Sequence, residues 1–439
     1  MAAMNLRVIQ SQTPLADPAV VDLLNRLRGG ELTSEGAGQV ESIVRDILAQ
    51  VRSHGDEAVI ELTERIDKVQ LDAAHLRVSA EEIRTAHEQA DAAYLRVIRA
   101  AIANVKAYQQ HIKVQAPTML RRGGRELGVR YTPINRVGVY VPGGKAFYPS
   151  SMIMTIVPAL TAGVKEIALA SPPSFKGSIN PMMLAIAAEL GVTEVYRIGG
   201  AIAVAALAYG TKSIKPVEKI VGPGNAFVAQ AKRQVLGKVG IDSIAGPSEV
   251  LIIADRTARA DWVAADMLAQ AEHDPGSAIL VTDSRELAEA VVGEIQTQLP
   301  QLERAAAIGA ALERYSAIVV VPDLAIACDV ANEFATEHLQ IQTANDEAML
   351  AKIRNAGAIF LGGQTPVPLG DYYAGPSHVL PTGGTARFFS PLSVNDFMKA
   401  SSVLRYDHAS LLADAPDVAE FARREGLTGH ANAIEKRRS

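Results

Sequence analysis

Gln270 and His273 stand three positions apart in "DMLAQAEHDPGSAILV", a window that reads as the end of a helix running into a strand. At that spacing two side chains share one helix face and can reach a common point, as two ligands of one metal ion must. A local explanation competes: a histidine in a last helical turn is favoured by the helix dipole whatever else it does. The remaining chemistry-capable residues strengthen the first reading. Glu337 and His338 are adjacent ahead of "LQIQT", Asp371 and His378 lie in a long Gly/Pro-rich stretch, and His430 lies in "REGLTGHANAI". Gln270, His273, Asp371 and His430 would together offer nitrogen and oxygen donors without sulfur, a set compatible with Zn2+ but open to manganese or cobalt. Glu337 beside His338 pairs a carboxylate with an imidazole whose pKa can be tuned for proton transfer near neutrality. Taken alone, His430 is by default a surface histidine, like His54, His75, His87, His111 and His408.

The elements that must position these groups follow from length and periodicity. A chain of 439 residues exceeds one hydrophobic core, so two or more packed units are expected. With 48% hydrophobic and 21% charged residues and a formal net charge of -5, nothing draws the chain to nucleic acid or an acidic membrane surface, and a small-molecule substrate is the default. The single cysteine, Cys328, excludes an internal disulfide framework and a multi-cysteine metal site. The opening "MAAMNLRVIQSQTP" lacks an apolar export segment, no apolar run approaches membrane-spanning length, and the cytoplasm is the expected compartment.

Residues 1–125 read as a helical region, with amphipathic segments near 38–53 and 56–66 and one long helix opening at Ser79, whose spacing to Glu82 suits a capping box. From residue 126 short β-branched runs alternate with Ala-rich helical windows. Those in 126–245 and 246–390 predict an α/β fold of two Rossmann-like, doubly wound units, with residues 391–439 as an appended helical tail. Glu337, His338, Asp371 and His378 are expected at the carboxyl ends of strands or in the loops just beyond, where doubly wound sheets bind ligands. "GGQTPVPLGDYYAGPSHVLPTGGTARFFS" is too long for a structural connection alone and is expected to carry function. In "VEKIVGPGNAFVAQAKRQVLG", Gly222 and Gly224 precede a helix that begins near Asn225, but Phe227 stands where a dinucleotide fingerprint has its third glycine, so spacing alone favours an ordinary βα turn. "VYVPGGKAFYPSS" is similar, with Gly143 and Gly144 after a strand and Tyr140 available for stacking.

Taken together, "RVGVYVPGG", "KIVGPGNAFVAQAKRQV", "DSIAGPSEVLIIAD", "QAEHD", "EHLQIQT", "GAIFLGGQTPVPLGDYYAGPSHVLPT", "ARFFSPLSVNDF" and "EGLTGHANA" occur in one order and resemble the histidinol dehydrogenase family. The resemblance implies a zinc- and NAD-dependent homodimer that oxidises L-histidinol to L-histidine through histidinaldehyde, in two hydride transfers. It implies Gln270, His273 and Asp371 as zinc ligands, with His430 supplied across the dimer so that the active site is shared. Those ligands and His338 border the substrate, and Ser248, His378 and Glu425 contact it. His338 matches the base for the alcohol step and Glu337 the group that activates water to hydrate the aldehyde. Tyr140 and Asn225 match cofactor contacts. Three places depart from the family pattern: Ile202 in "GGAIA" replaces a glutamine that touches the dinucleotide, so one hydrogen bond is expected to be missing; Thr336 replaces a proline; and "GGKAFYPS" replaces "GGTAPYPS". Two rival readings are a paralogue oxidising another amino alcohol or polyol, and a catalytically silent metal-binding or assembly protein.

Overall fold

The computed structural model describes residues 6–28, 37–143, 148–244, 246–273 and 276–438, so Gly144 of the expected glycine turn lies outside the described residues. Its strands are β1 (Arg7–Gln10), β2 (Leu120–Arg122), β3 (Arg125–Pro133), β4 (Arg136–Tyr140), β5 (Glu166–Ser171), β6 (Glu194–Arg197), β7 (Lys219–Val221), β8 (Gly240–Ile241), β9 (Ser248–Ala254), β10 (Gly276–Thr282), β11 (Ala317–Val320), β12 (His338–Gln342), β13 (Ala358–Leu361) and β14 (Met398–Tyr406). Two sheets are entirely parallel, ordered β6-β5-β4-β7-β8 and β1-β11-β10-β9-β12-β13. The chain reverses direction across the first sheet between β4 and β7, and across the second between β9 and β12, which is the doubly wound plan the periodicity predicts. Helices cover both faces, and the central strands are accordingly buried along their length, as "VLIIA" of β9 is.

The first 125 residues do not form a separate helical region. β1 alternates half-buried and exposed residues and extends the second sheet beside β11. Val20, Leu23 and Leu27 of the Pro18–Leu27 helix join Leu251, Phe334 and Leu339 in that sheet's core. The Ala37–His54 and Asp56–Asp67 helices fall close to their expected spans, but they bury Val44, Val51, Val59 and Leu62 against the first sheet, beside Tyr140 and Ile220. The long helix expected from Ser79 is two helices, Ala80–Glu88 and Ala92–Ile112. Ser79 and Glu82 form the capping box, yet Asp91 then leaves helical geometry, and its carboxylate accepts the N–H groups of Ala93 at 2.7 Å and Tyr94 at 3.3 Å. A strong N-cap thus restarts the helix where apolar periodicity alone runs straight through. The tail is not purely helical either: β14 pairs antiparallel with β3, which with β2 makes a third, small sheet, before the His408–Arg424 and Thr428–Glu435 helices.

At the carboxyl edge of the first sheet a buried ion pair shapes the "VGPGN" turn. Lys232, 2% exposed, pairs with Asp242 and donates to the Gly222 carbonyl at 3.1 Å, while Asp242 accepts the Gly222 N–H at 2.7 Å. Gly222 has φ +118°, and a Cβ there would lie 2.0 Å from the Tyr140 carbonyl oxygen, so only glycine lets β4 and the turn approach this closely.

Replacing Asp91 with alanine is expected to cost about 0.5–2 kcal/mol, the usual value of an N-cap. Urea denaturation measures it, and an unaltered midpoint would show that the break between the two helices is held by packing instead.

Candidate active site

The expected site residues gather at the second sheet, but at its amino edge and not at the carboxyl edge. Ser248 is the first residue of β9, and His338 the first of the neighbouring β12. The Ala260–Ala271 helix returns from the carboxyl end of β9 and brings Gln270, in its last turn, and His273, just beyond, back to the amino edge. A helix antiparallel to its strands always delivers its final turn there, which is why residues at the end of a helix and the start of a strand could not lie at the opposite edge. The first sheet presents its carboxyl edge to this site. Ser151, in the first turn of the Pro149–Ala162 helix that follows β4, lies 3.2 Å from His378 Nε2.

A chain of hydrogen bonds links the amino edge. Gln270 Nε2 donates to Ser248 Oγ at 2.6 Å, Ser248 Oγ donates to Glu337 Oε2 at 2.6 Å, and the Glu249 N–H donates to the same oxygen at 3.1 Å. Beside it the His338 imidazole is 2% exposed. Its Nδ1 lies 3.7 Å from Glu337 Oε2 and its Nε2 3.5 Å from Asp371 Oδ1, both beyond hydrogen-bond length, and neither nitrogen has another hydrogen-bond partner among the described residues. Burial works against the imidazolium, but Glu337 and Asp371 outweigh it and hold the His338 pKa above the ordinary imidazole value. Burial also raises the Asp371 carboxyl, and His338, with smaller contributions from His378 and His273, more than reverses that shift, so its pKa lies below the usual range. His378 goes the other way from His338. Burial depresses its pKa, while its Nδ1 lies 2.9 Å from the Asp371 carbonyl oxygen. Two imidazoles shifted in opposite senses within one site can divide proton-accepting and neutral hydrogen-bonding roles. Asp371, on the short Val367–Tyr372 helix, and His378 also line a cavity of about 630 Å³ whose other walls include Phe360, Leu369 and Gln109.

Among the described residues no group of three His, Cys, Asp or Glu side chains converges as a complete metal cage. The donor chemistry nevertheless fits a divalent cation. With Gln270 Nε2 committed to Ser248, its Oε1 is the atom left to ligate, and Asp371 is within electrostatic reach of His273. Within one chain the structure does not bring His430 to this set. His430 and Glu425 are exposed and line a separate open cavity of about 370 Å³ with Val418, Phe421 and Leu427 of the tail.

The expected cofactor residues fare differently. Tyr140 is 4% exposed, and its hydroxyl accepts the Gly200 N–H at 3.2 Å; burial pushes its pKa up to about 12, and it is not free to stack on a ligand. Asn225 is exposed, but its Oδ1 caps its own helix by accepting from Phe227 and Val228, in keeping with an ordinary βα turn. Ile202 is 2% exposed in the apolar cluster with Tyr140 and Ile198. Isoleucine here fills an apolar core position, with its side chain packed inward. Thr336, in place of proline, is buried and donates its hydroxyl to the His338 carbonyl at 3.0 Å, fixing the start of β12. Two functional candidates escaped the sequence reading. Ser151 had no signal beyond its place in "YPSS", whereas Glu249 had one, a lone carboxylate at the head of the apolar run "EVLIIA".

Ile202→Gln is expected to destabilise the protein by roughly 1–3 kcal/mol, because the amide would be buried without a partner. Urea unfolding without any ligand checks this, and a stability equal to the parent would mean that the position opens to solvent.

A model of the family described as Histidinol dehydrogenase matches residues 32–438. A histidinol dehydrogenase of Geobacillus kaustophilus (strain HTA426) is 51% identical over 419 residues, covering 94% of this chain and 98% of its own length. One from Bacillus subtilis (strain 168) is 47% identical over 403 residues, covering 92% and 94%. The crystal structure of histidinol dehydrogenase from Elizabethkingia anophelis matches with a TM-score of 0.91 at 32% identity, over 98% of each chain. The motifs, the two parallel sheets and these similarities agree, and the chain belongs to the histidinol dehydrogenase family.

Proposed function

We propose that this chain oxidises L-histidinol to L-histidine through histidinaldehyde, as the last steps of histidine biosynthesis in the cytoplasm, with zinc and NAD as cofactors and as a homodimer with shared active sites. The observation that carries the reading is the buried His338 imidazole between the Glu337 and Asp371 carboxylates, beside the Gln270–Ser248–Glu337 chain. Gln270 through Oε1, His273 and Asp371 would hold the zinc, with His430 of a second copy as the fourth protein donor. Bound zinc supplies a fixed positive charge that orients the substrate's imidazole and amine, and bound NAD supplies the hydride acceptor. Of the three residues expected at the dinucleotide, Asn225 alone offers an exposed side chain.

His338 takes the proton of the substrate hydroxyl as hydride leaves its carbon, and the neighbouring carboxylates stabilise the imidazolium that results. Glu337 then takes a proton from water as that water adds to the aldehyde, and the hydrate loses the second hydride to give the carboxylate. Ser248, hydrogen-bonded to both Gln270 and Glu337, keeps the metal-side and water-side groups in one register. His378, neutral by burial, and Glu425 of the second copy would contact the substrate. The amino-edge site is the reason to prefer this reading over a silent binding protein, since binding alone has no use for a buried base flanked by two acids.

The test is stoichiometry. Purified zinc-loaded protein is expected to form two NADH per L-histidinol consumed, and His273→Ala or Asp371→Ala to lose zinc and activity together. One NADH per alcohol, or faster turnover of another amino alcohol, would support a paralogue, and full activity in a variant proven metal-free would remove zinc from the reading. Sharing of the site is tested by mixing inactive His430→Ala with inactive His338→Ala. Heterodimers would contain one site with both defects and one with neither, so activity should reappear on subunit exchange; none despite proven heterodimers would mean that the tail serves its own chain.

A further inference from the structure

Glu249, the second residue of β9, is 2% exposed and has no part in the reaction outlined above. Its Oε1 accepts the Glu337 N–H at 3.3 Å and the Gly383 N–H at 2.9 Å. In return its own N–H donates to Glu337 Oε2 at 3.1 Å. The two residues therefore hold each other reciprocally, backbone to side chain, across the start of β9 and the residue ahead of β12. Gly383 at φ +61° and Gly384 at φ +76° are left-handed, the conformation that aims successive N–H groups at one anion-sized acceptor. On the opposite side, a Cβ on Gly357 would lie 2.5 Å from the Glu337 carbonyl oxygen, so the main chain there has no room to shift.

We propose that Glu249 is the positioning residue for Glu337, fixing its carboxylate toward Ser248 and locking the Thr382–Gly384 turn over the site. The inference rests on the reading of Glu337 as the group that activates water. Two carboxyls this close cannot both carry charge cheaply. Burial first, and the neighbouring Glu337 carboxyl second, push Glu249 up to about 8, so at neutral pH Glu249 is the protonated member of the pair. The titratable groups facing it are Glu337 and His338. Ser277, its register partner on β10, and the Thr382–Gly384 turn are uncharged.

The experiment uses zinc-loaded enzyme and single-turnover NADH formation from histidinol and from histidinaldehyde. Glu249→Ala is expected to slow the aldehyde step roughly 10- to 100-fold, and more than the alcohol step, because it misplaces the water-activating group. Glu249→Gln keeps an acceptor for the Glu337 and Gly383 N–H groups and should recover most of that loss. Infrared difference spectra of the resting enzyme should show a protonated-carboxyl band that titrates near pH 8 and vanishes in Glu249→Gln. Equal slowing of both steps in the alanine variant, a glutamine variant no better than alanine, or persistence of the band would each overturn the inference. If alanine does not fold, the band and the two step rates of the glutamine variant decide. Failure of the underlying reading looks different: Glu337→Gln would then slow both steps alike while the Glu249 band remained.

Discussion

Everything at the site depends on burying carboxyl groups where a parallel sheet begins. A strand's first residues present main-chain N–H groups with no complete ladder before them, and these are the donors that buried carboxyl oxygens need. Glu337 takes the Glu249 N–H, and Glu249 takes the N–H groups of Glu337 and Gly383. Removing either acid would strand donors in a dry interior. The pairing of β9 with β12, the closure of the 382–384 turn and the placement of the reactive groups are thus one structural event.

This constraint explains why His338 can be so deeply enclosed. An imidazole with both nitrogens unpaired would be costly alone, but the carboxylates on either side stabilise its protonated form, and the 3.5 and 3.7 Å separations leave those interactions open to an intervening or approaching group. Behind it the polar character continues along the same strand face, where Gln340 and Gln342 both donate to Asp266, one turn before Gln270 on the facing helix, at 2.9 Å. Alternate residues of β12 thereby key the helix that carries Gln270 to the strand that begins with His338.

The fold was largely legible because β-branched runs and Ala-rich windows have different periods, and the alternation over residues 126–390 matches the two parallel sheets. Asp91 was not, since a single cap decides between one helix and two without disturbing the apolar pattern. β1 was not, since "RVIQ" becomes a strand only by adding to the edge of β11, more than three hundred residues away. Gln270, Ser248, Glu337, His338, Asp371 and His378 stand out by residue type and motif, and the structure brings them to one edge; the carboxyl edge expected for His338, Asp371 and His378 is the wrong one, because sequence proximity to a strand does not say at which end of it the preceding helix arrives. The burial of Tyr140 and Ile202 was not legible, because residue type cannot say whether a side chain faces the turn or the core. Glu249 shows the reverse lesson: a charge inside an apolar strand needs donors from elsewhere, and sequence gives no sign of the distant glycines that supply them.

The head-to-tail arrangement of the two sheets also sorts charge. Helices run antiparallel to the strands they follow, so their amino ends, with net positive character, collect at a carboxyl edge, and their carboxyl ends, with net negative character, at an amino edge. The site lies where the carboxyl edge of the first sheet meets the amino edge of the second. On the first side the Pro149–Ala162, Gly200–Tyr209 and Ala226–Val235 helices begin; on the second the Ala260–Ala271 and Leu324–Phe334 helices end, next to Gln270 and Glu337. The first side favours an anion such as the pyrophosphate of a dinucleotide, although Asn225 and Tyr140 already take up some of its donors. The second favours cations, and in the proposed reaction it would receive zinc, the substrate ammonium and the imidazolium formed on His338. In the proposed reaction a hydride acceptor with an anionic tail would therefore be favoured at the first edge and a cationic alcohol at the second, a separation that backbone dipoles set up before any side chain contributes.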